Sequence, residues 1–183
     1  MQRMSVSRGR ATSAGALRPK ATAHDSRAIT KELGKARDLP ELLSLEDRHG
    51  GHFDHFNLGA FWSKFKKLPR GELSGLRDRL APVCEQTVRM LPTLSARVVA
   101  NVAHAFAKAK LVGSGPWECV WAVLPEVVLR SLGDSNPQEL SNTAWAFATA
   151  GHTSHELFHA ISAEAVRRRL GGFNTQDLSN TAW

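Results

Sequence analysis

The chain has 183 residues, 24 basic against 17 acidic, a net charge of +7 and a pI near 10.0. No apolar run of seven or more provides a secretory core. The most apolar stretch, Trp117 to Leu132, is too short to span a bilayer and carries Glu118 and Glu126. Two cysteines, Cys84 and Cys119, form no metal-type pair and fit a reducing compartment.

Residues 1–24 hold five of the basic residues (Arg3, Arg8, Arg10, Arg18 and Lys20) and no acid, so the rest carries 19 bases against 17 acids, only +2. The overall charge suggests a polyanionic partner, but most of it belongs to this tail. Its Arg, Ser, Ala and Thr content predicts a disordered basic tail or an organellar transit peptide. Residues 25–183 are then the body of the protein. His49, His52 and His55 gather around Gly50-Gly51 and read as surface histidines of an interhelical loop rather than a metal site.

Beyond them the sequence repeats. TQDLSNTAW at 175–183 returns PQELSNTAW of 137–145, 38 residues apart. With a step of 41, VANVAHAFAKAK at 99–110 aligns with LSNTAWAFATAG at 140–151, matching Asn101 to Asn142 and Phe106 to Phe147. A weaker copy aligns from Asn57, its register open by a residue. Periods of this size mark arrays of two-helix units. The fold class predicted is all-α, an α-solenoid of two-helix repeats of about 38 to 41 residues, with units near 57–94, 95–135 and 136–173 and a partial unit at 174–183. The last unit stops within a first helix, so the sequence reads as truncated at its C-terminus.

Local signals place the helices. Asn136, Pro137 and Glu139 form an N-cap, an N1 proline and an N3 acid, repeated by Asn174 and Asp177, with Ser95 in the cap position one unit earlier. Gly151 is expected to end the first helix, Thr153 to open the second with Glu156 as its capping-box acid, and Gly171-Gly172 to close it. Earlier second helices are expected at Trp117 to Leu132 and roughly Leu76 to Leu91. On the first helix Leu140, Ala144, Phe147 and Ala148 share an apolar side flanked by Trp145, where alanines allow close approach and the aromatics supply area.

His155-Glu156-Leu157-Phe158-His159 matches the zinc-protease pattern H-E-x-x-H. The same positions one unit earlier read Trp117-Glu118-Cys119-Val120-Trp121, so the histidines occupy ordinary helix positions. No third ligand follows, and no nucleophile triad or phosphate loop occurs. The expectation is a non-enzymatic protein without metal or cofactor.

Candidate contacts therefore lie on the repeat surface. The recurrent Asn101 and Asn142 share a helix side with the residue seven later, Lys108 and Thr149. Such positions can read bases in modular RNA-binding repeats. Equally, a polar residue fixed in each unit can bond backbone between helices. Lys64 and Lys108 are candidates for phosphate contact. On the second helices, Glu85/Arg89, Glu126/Arg130 and Glu164/Arg168 predict i,i+4 ion pairs, leaving Arg167 and Arg169 at a helix C-terminus for a polyanion.

The LSNTAWAFATAG segment and its return resemble the octotricopeptide-type helical repeats of organellar RNA-processing proteins. They are similar also to the repeat regions of FAST-kinase-like and RAP-domain proteins and of RNA-editing substrate-binding complex subunits. The resemblance implies an α-solenoid that binds single-stranded organellar RNA, alone or among ribonucleoprotein subunits, in RNA processing, stability or translation. It implies the mitochondrion or, alternatively, the chloroplast, and no membrane association. A protein-interaction scaffold of the same fold is the alternative, which the near-neutral body favours.

Overall fold

A computed structural model describes residues 23–69 and 77–182. Among them the chain is helical, without strands: α1 (Ala23–Lys35), α2 (Leu39–His49), α3 (His55–Phe65), α4 (Arg77–Met90), α5 (Ala96–Lys108), α6 (Glu118–Ser131), α7 (Pro137–Ala150), α8 (His155–Arg167) and α9 (Thr175–Thr181). Of the expected tail, residues 1–22 lie outside the described residues, and Ala23 already belongs to α1. Trp183 also lies outside them.

The helices start where side chains can satisfy free backbone N–H groups. Asn136 has an extended backbone, its side chain accepts from the Glu139 N–H, and Glu139 accepts from the Asn136 N–H, each at 2.8 Å. Asn174 and Asp177 form the same reciprocal box on α9, and Asp54 with Asn57 forms it on α3. Ser95 holds the cap position of α5 without a side-chain bond. Gly151 ends α7 at φ 72, in the left-handed region that glycine enters at little cost.

Two expected boundaries are corrected at α8. Ser154, not Thr153, is the N-cap and accepts from the Leu157 N–H. Glu156 is thereby too near the helix start for the expected box, and it is exposed. The helix ends at Arg167 and not at the glycine pair, because Arg169 and Leu170 adopt positive φ (52 and 55) before Gly171 is reached.

Odd-numbered helices pack in succession, α1 on α3, α3 on α5, α5 on α7 and α7 on α9. The even-numbered helices make a second row, α2 on α4, α4 on α6 and α6 on α8. The closest pairing, α5 with α7, has alanines on both sides: Ala103, Ala105, Ala144 and Ala146 are all buried. Small side chains let the axes approach.

Aromatic rings carry the core from one helix to the next. Trp62 meets Phe106 at 4.5 Å between centroids, Phe106 meets Trp121 at 6.0 Å, and Trp121 meets Phe147 at 5.3 Å, all near edge-to-face. Each buried indole N–H in this chain of rings is satisfied, Trp62 donating to Thr87 Oγ1 at 2.9 Å and Trp121 to the Leu111 carbonyl at 2.7 Å. Burial of each such side chain contributes about 2 kcal/mol or more. The step from 41 to 38 residues is absorbed at the edges, where the α5–α6 link (109–117) shortens to 151–154 between α7 and α8.

Candidate nucleic-acid interface

The N-caps fix a structural register. Asp54, Ser95, Asn136 and Asn174 are equivalent, and the same steps carry Lys67 to Lys108 to Thr149. On α5 the residues Arg97, Asn101, His104 and Lys108 fall on one helical stripe, and on α7 the matching stripe is Gln138, Asn142, Trp145 and Thr149. Asn101, Lys108, Asn142 and Thr149 thus occupy matching turns of adjacent helices.

Lys64 and Asn57 are not part of this stripe. Asn57 is the third residue of α3 and is fully buried, accepting from the Asp54 N–H and donating to the Ser26 carbonyl and Thr30 Oγ1, both at 2.8 Å. It therefore has the backbone-bonding role considered for the recurrent Asn, but it is no equivalent of Asn101. Lys64 donates to the Gly34 carbonyl at 3.0 Å, reaching toward the end of α1.

A cleft of about 530 Å3 runs across α3, α5 and α7, lined among others by Ser63, Lys66, Lys67, Arg97, Asn101 and Asn142. Lys66 follows the last turn of α3 and donates to Asn101 Oδ1 at 2.9 Å. Lys66 pairs with no carboxylate among the described residues. Partial burial lowers its pKa first, and Lys67 and Lys108 lower it further. The cleft contains one acid, Glu139, and that carboxylate is held at the start of α7 by the Asn136 N–H.

Around the cleft the charge is one-sided. Residues 55–69 and 95–112 carry Lys64, Lys66, Lys67, Arg97, Lys108 and Lys110 and no acid. On the second-row helices α4 and α6 the acids Asp78, Glu85, Glu118 and Glu126 stand among the arginines Arg77, Arg79, Arg89 and Arg130. A sum of +2 conceals this basic stretch of α3 and α5, whereas α1, α7 and α9 of the same row carry Asp25, Glu32, Glu139 and Asp177.

His104 and Trp145 put aromatic surface beside these cations, with ring centroids 4.9 Å apart. Burial, then the charges of Lys66 and Lys108, push the His104 pKa down to about 4. Its imidazole is neutral at pH 7, and its Nδ1 is buried without a hydrogen-bond partner.

Arg167 and Arg169 are elsewhere, at the C-terminal end of α8 in the second row. Arg167 is also paired, contrary to the expectation of a free cation: Glu164 accepts from its Nε at 2.8 Å and its terminal nitrogen at 2.7 Å. Glu164 is shared with Arg168, whose Nε donates at 2.6 Å, and hydrogen bonds from both arginines hold its carboxyl down at about 2. Arg168 further donates to the carbonyls of Leu132, Gly133 and Ser135, tying α8 to the turn after α6. The other expected pairs are present but long, 3.9 Å for Glu85/Arg89 and 3.6 Å for Glu126/Arg130.

His155, Glu156 and His159 are exposed, and no group of three or more His, Cys, Asp or Glu among the described residues is placed to hold a metal. No described helix is long and apolar enough to cross a membrane.

The chain matches no family model and no curated protein.

Lys66, Lys67 and Arg97 were the cleft residues that sequence reasoning passed over. The run Lys64, Lys66, Lys67 was a visible signal. Counting from the cap at Asp54 instead of from Asn57 would have selected Lys67 from it.

Proposed function

We propose that the chain is an α-solenoid of two-helix repeats that binds single-stranded RNA along the cleft of its first helices. Its setting would be organellar RNA processing, stability or translation, in the mitochondrion or, second, the plastid. The observation that carries the binding reading is the basic lining of the cleft. A cleft crossed by Lys66, Lys67, Arg97 and, beside them, Lys108 has its single acid already occupied. Cations without carboxylate partners attract a phosphate backbone, and a flanking Trp145 with a neutral His104 offers ring surface on which unpaired bases stack. The organellar setting rests on the basic, acid-free tail and on the family resemblance of the LSNTAW repeat.

A protein partner on the same face is the second reading, favoured by Phe56, which is 65% exposed at the α3 position equivalent to Arg97. Binding of a fluorescent single-stranded RNA to the full chain, measured against salt concentration, separates the two. RNA binding along the cleft predicts a steep salt dependence that K67A/K108A flattens by roughly 1.4 in log–log slope, about 0.7 per lost phosphate contact. No binding at low salt would sink the RNA reading and favour the protein partner.

A further inference from the structure

Asn101 and Asn142 are equivalent in register, yet their amides are not equivalent in chemistry. Lys66 donates to Asn101 Oδ1. An ammonium can only donate, so the amide orientation is settled by chemistry and not by the near-identity of oxygen and nitrogen in an Asn side chain. One lone pair of the Asn101 carbonyl oxygen is thereby taken and the amide is pinned in one orientation, with its NH2 group, a donor, left without a partner among the described residues. At Asn142 no hydrogen bond to the side chain forms among the described residues, so carbonyl and NH2 both stay available. The position one unit before Asn142 on the Lys66 register explains the difference: residue 107 is alanine. At the third equivalent, Asn180 Oδ1 accepts from Gln176 Nε2 at 2.8 Å, but two amides can exchange roles, so that contact fixes no polarity. None of the three side chains bonds to backbone among the described residues.

We propose that Lys66 is a specificity-determining positioning residue, which pins the Asn101 amide by its oxygen and weakens it as an acceptor toward a base, while Asn142 keeps a donor and an acceptor side by side and free to turn. This rests on the RNA reading above. Bidentate recognition of adenine by Asn needs both amide atoms, one accepting from the N6 amine and one donating to a ring nitrogen. Asn142 can make that pair. Asn101, held to Lys66 by its oxygen, cannot turn freely to lay both atoms against an adenine edge, and its N–H groups favour an acceptor such as a uracil carbonyl. Adjacent units with the same Asn therefore read different base edges.

The test is selection of a randomised single-stranded RNA by the full chain at one fixed salt concentration, for wild type, N142A, K66M and K66R. Wild type is expected to show one adenine-preferring position, on the order of tenfold, which N142A removes. K66M frees the Asn101 oxygen and is expected to add a second adenine-preferring position, while K66R, still a donor, keeps the wild-type preference. Circular dichroism establishes that each variant is folded, and K66A, which removes the donor as K66M does, carries the test should K66M not be. K66M that weakens all sequences equally, or K66R that changes the preference, overturns the inference while leaving RNA binding intact. Wild type that binds no RNA overturns both.

Discussion

Lowering the pH from 7.5 to 4.5 is expected to destabilise the folded chain through His104. An unperturbed histidine titrates near 6.5, whereas His104 is held down at about 4 by burial and by Lys66 and Lys108. Between those values the unfolded chain binds a proton that the folded chain refuses. Stability from this residue is unaffected above pH 6.5 and falls as the pH drops toward 4. The full linkage is roughly 1.4 kcal/mol per pH unit over that window, or about 2.7 kcal/mol at pH 4.5. His104 keeps some solvent contact, so about 1 to 2 kcal/mol is the expected loss. Urea unfolding at pH 7.5, 6.0, 5.0 and 4.5 for wild type and H104Q measures it. The difference between the two proteins isolates His104 from His152, whose pKa burial also lowers, and from Glu46, whose carboxyl burial raises. A second arm replaces Lys66 and Lys108 by Met, which is expected to raise the His104 pKa in a 15N or 13C NMR titration. A measured His104 pKa at or above 6 in wild type would refute the reasoning, since neither burial nor the lysine charges could then be acting on the ring.

At α8, S154A is expected to cost about 1 kcal/mol by thermal or urea unfolding, while T153A is expected to stay within about 0.3 kcal/mol; the reverse order would restore Thr153 as the cap. On the same helix, R168A is expected to destabilise by about 1 to 2 kcal/mol, because three carbonyls after α6 lose their donor. R167A removes only an exposed ion pair and is expected to leave the unfolding midpoint essentially unchanged. Equal losses for the two arginines would show that the link to α6 contributes nothing.

The parts of this fold that sequence made legible are those whose physics is local. Asn136, Pro137 and Glu139 announce a helix start because cap, proline and acid lie within four residues, and Gly151 announces its end for the same reason. Helices α1 and α2 were not separated in advance, although Asp38, Pro40 and Glu41 carry the same kind of start signal for α2. They lack the LSNTAW signature on which the repeat was recognised. Asn57 misled because residue type was matched without position: an Asn at the third place of a helix closes a capping box, whereas the sixth place faces the cleft. Half of the candidate site followed from the period alone, Asn101, Lys108, Asn142 and Thr149. The other half depends on how α3 crosses α5, which brings Lys66 against Asn101, and no spacing within one helix encodes that distance. Arg167 failed as a free cation for a comparable reason, since Glu164 has two oxygens and serves two arginines.

Repeat chains are usually editable one unit at a time, with units removed, added or exchanged as independent parts. Trp121 sets a limit to that freedom. Its ring lies between Phe106 of α5 and Phe147 of α7, and its N–H is spent on the carbonyl of Leu111. Cutting the chain between α6 and α7 would strip one side of the indole and open both hydrophobic interiors at once. A cut ahead of α5 would likewise part Phe106 from Trp62, so the shortest block that keeps this chain of rings whole runs from α3 to α7, and Lys66, Asn101 and Asn142 travel in it together.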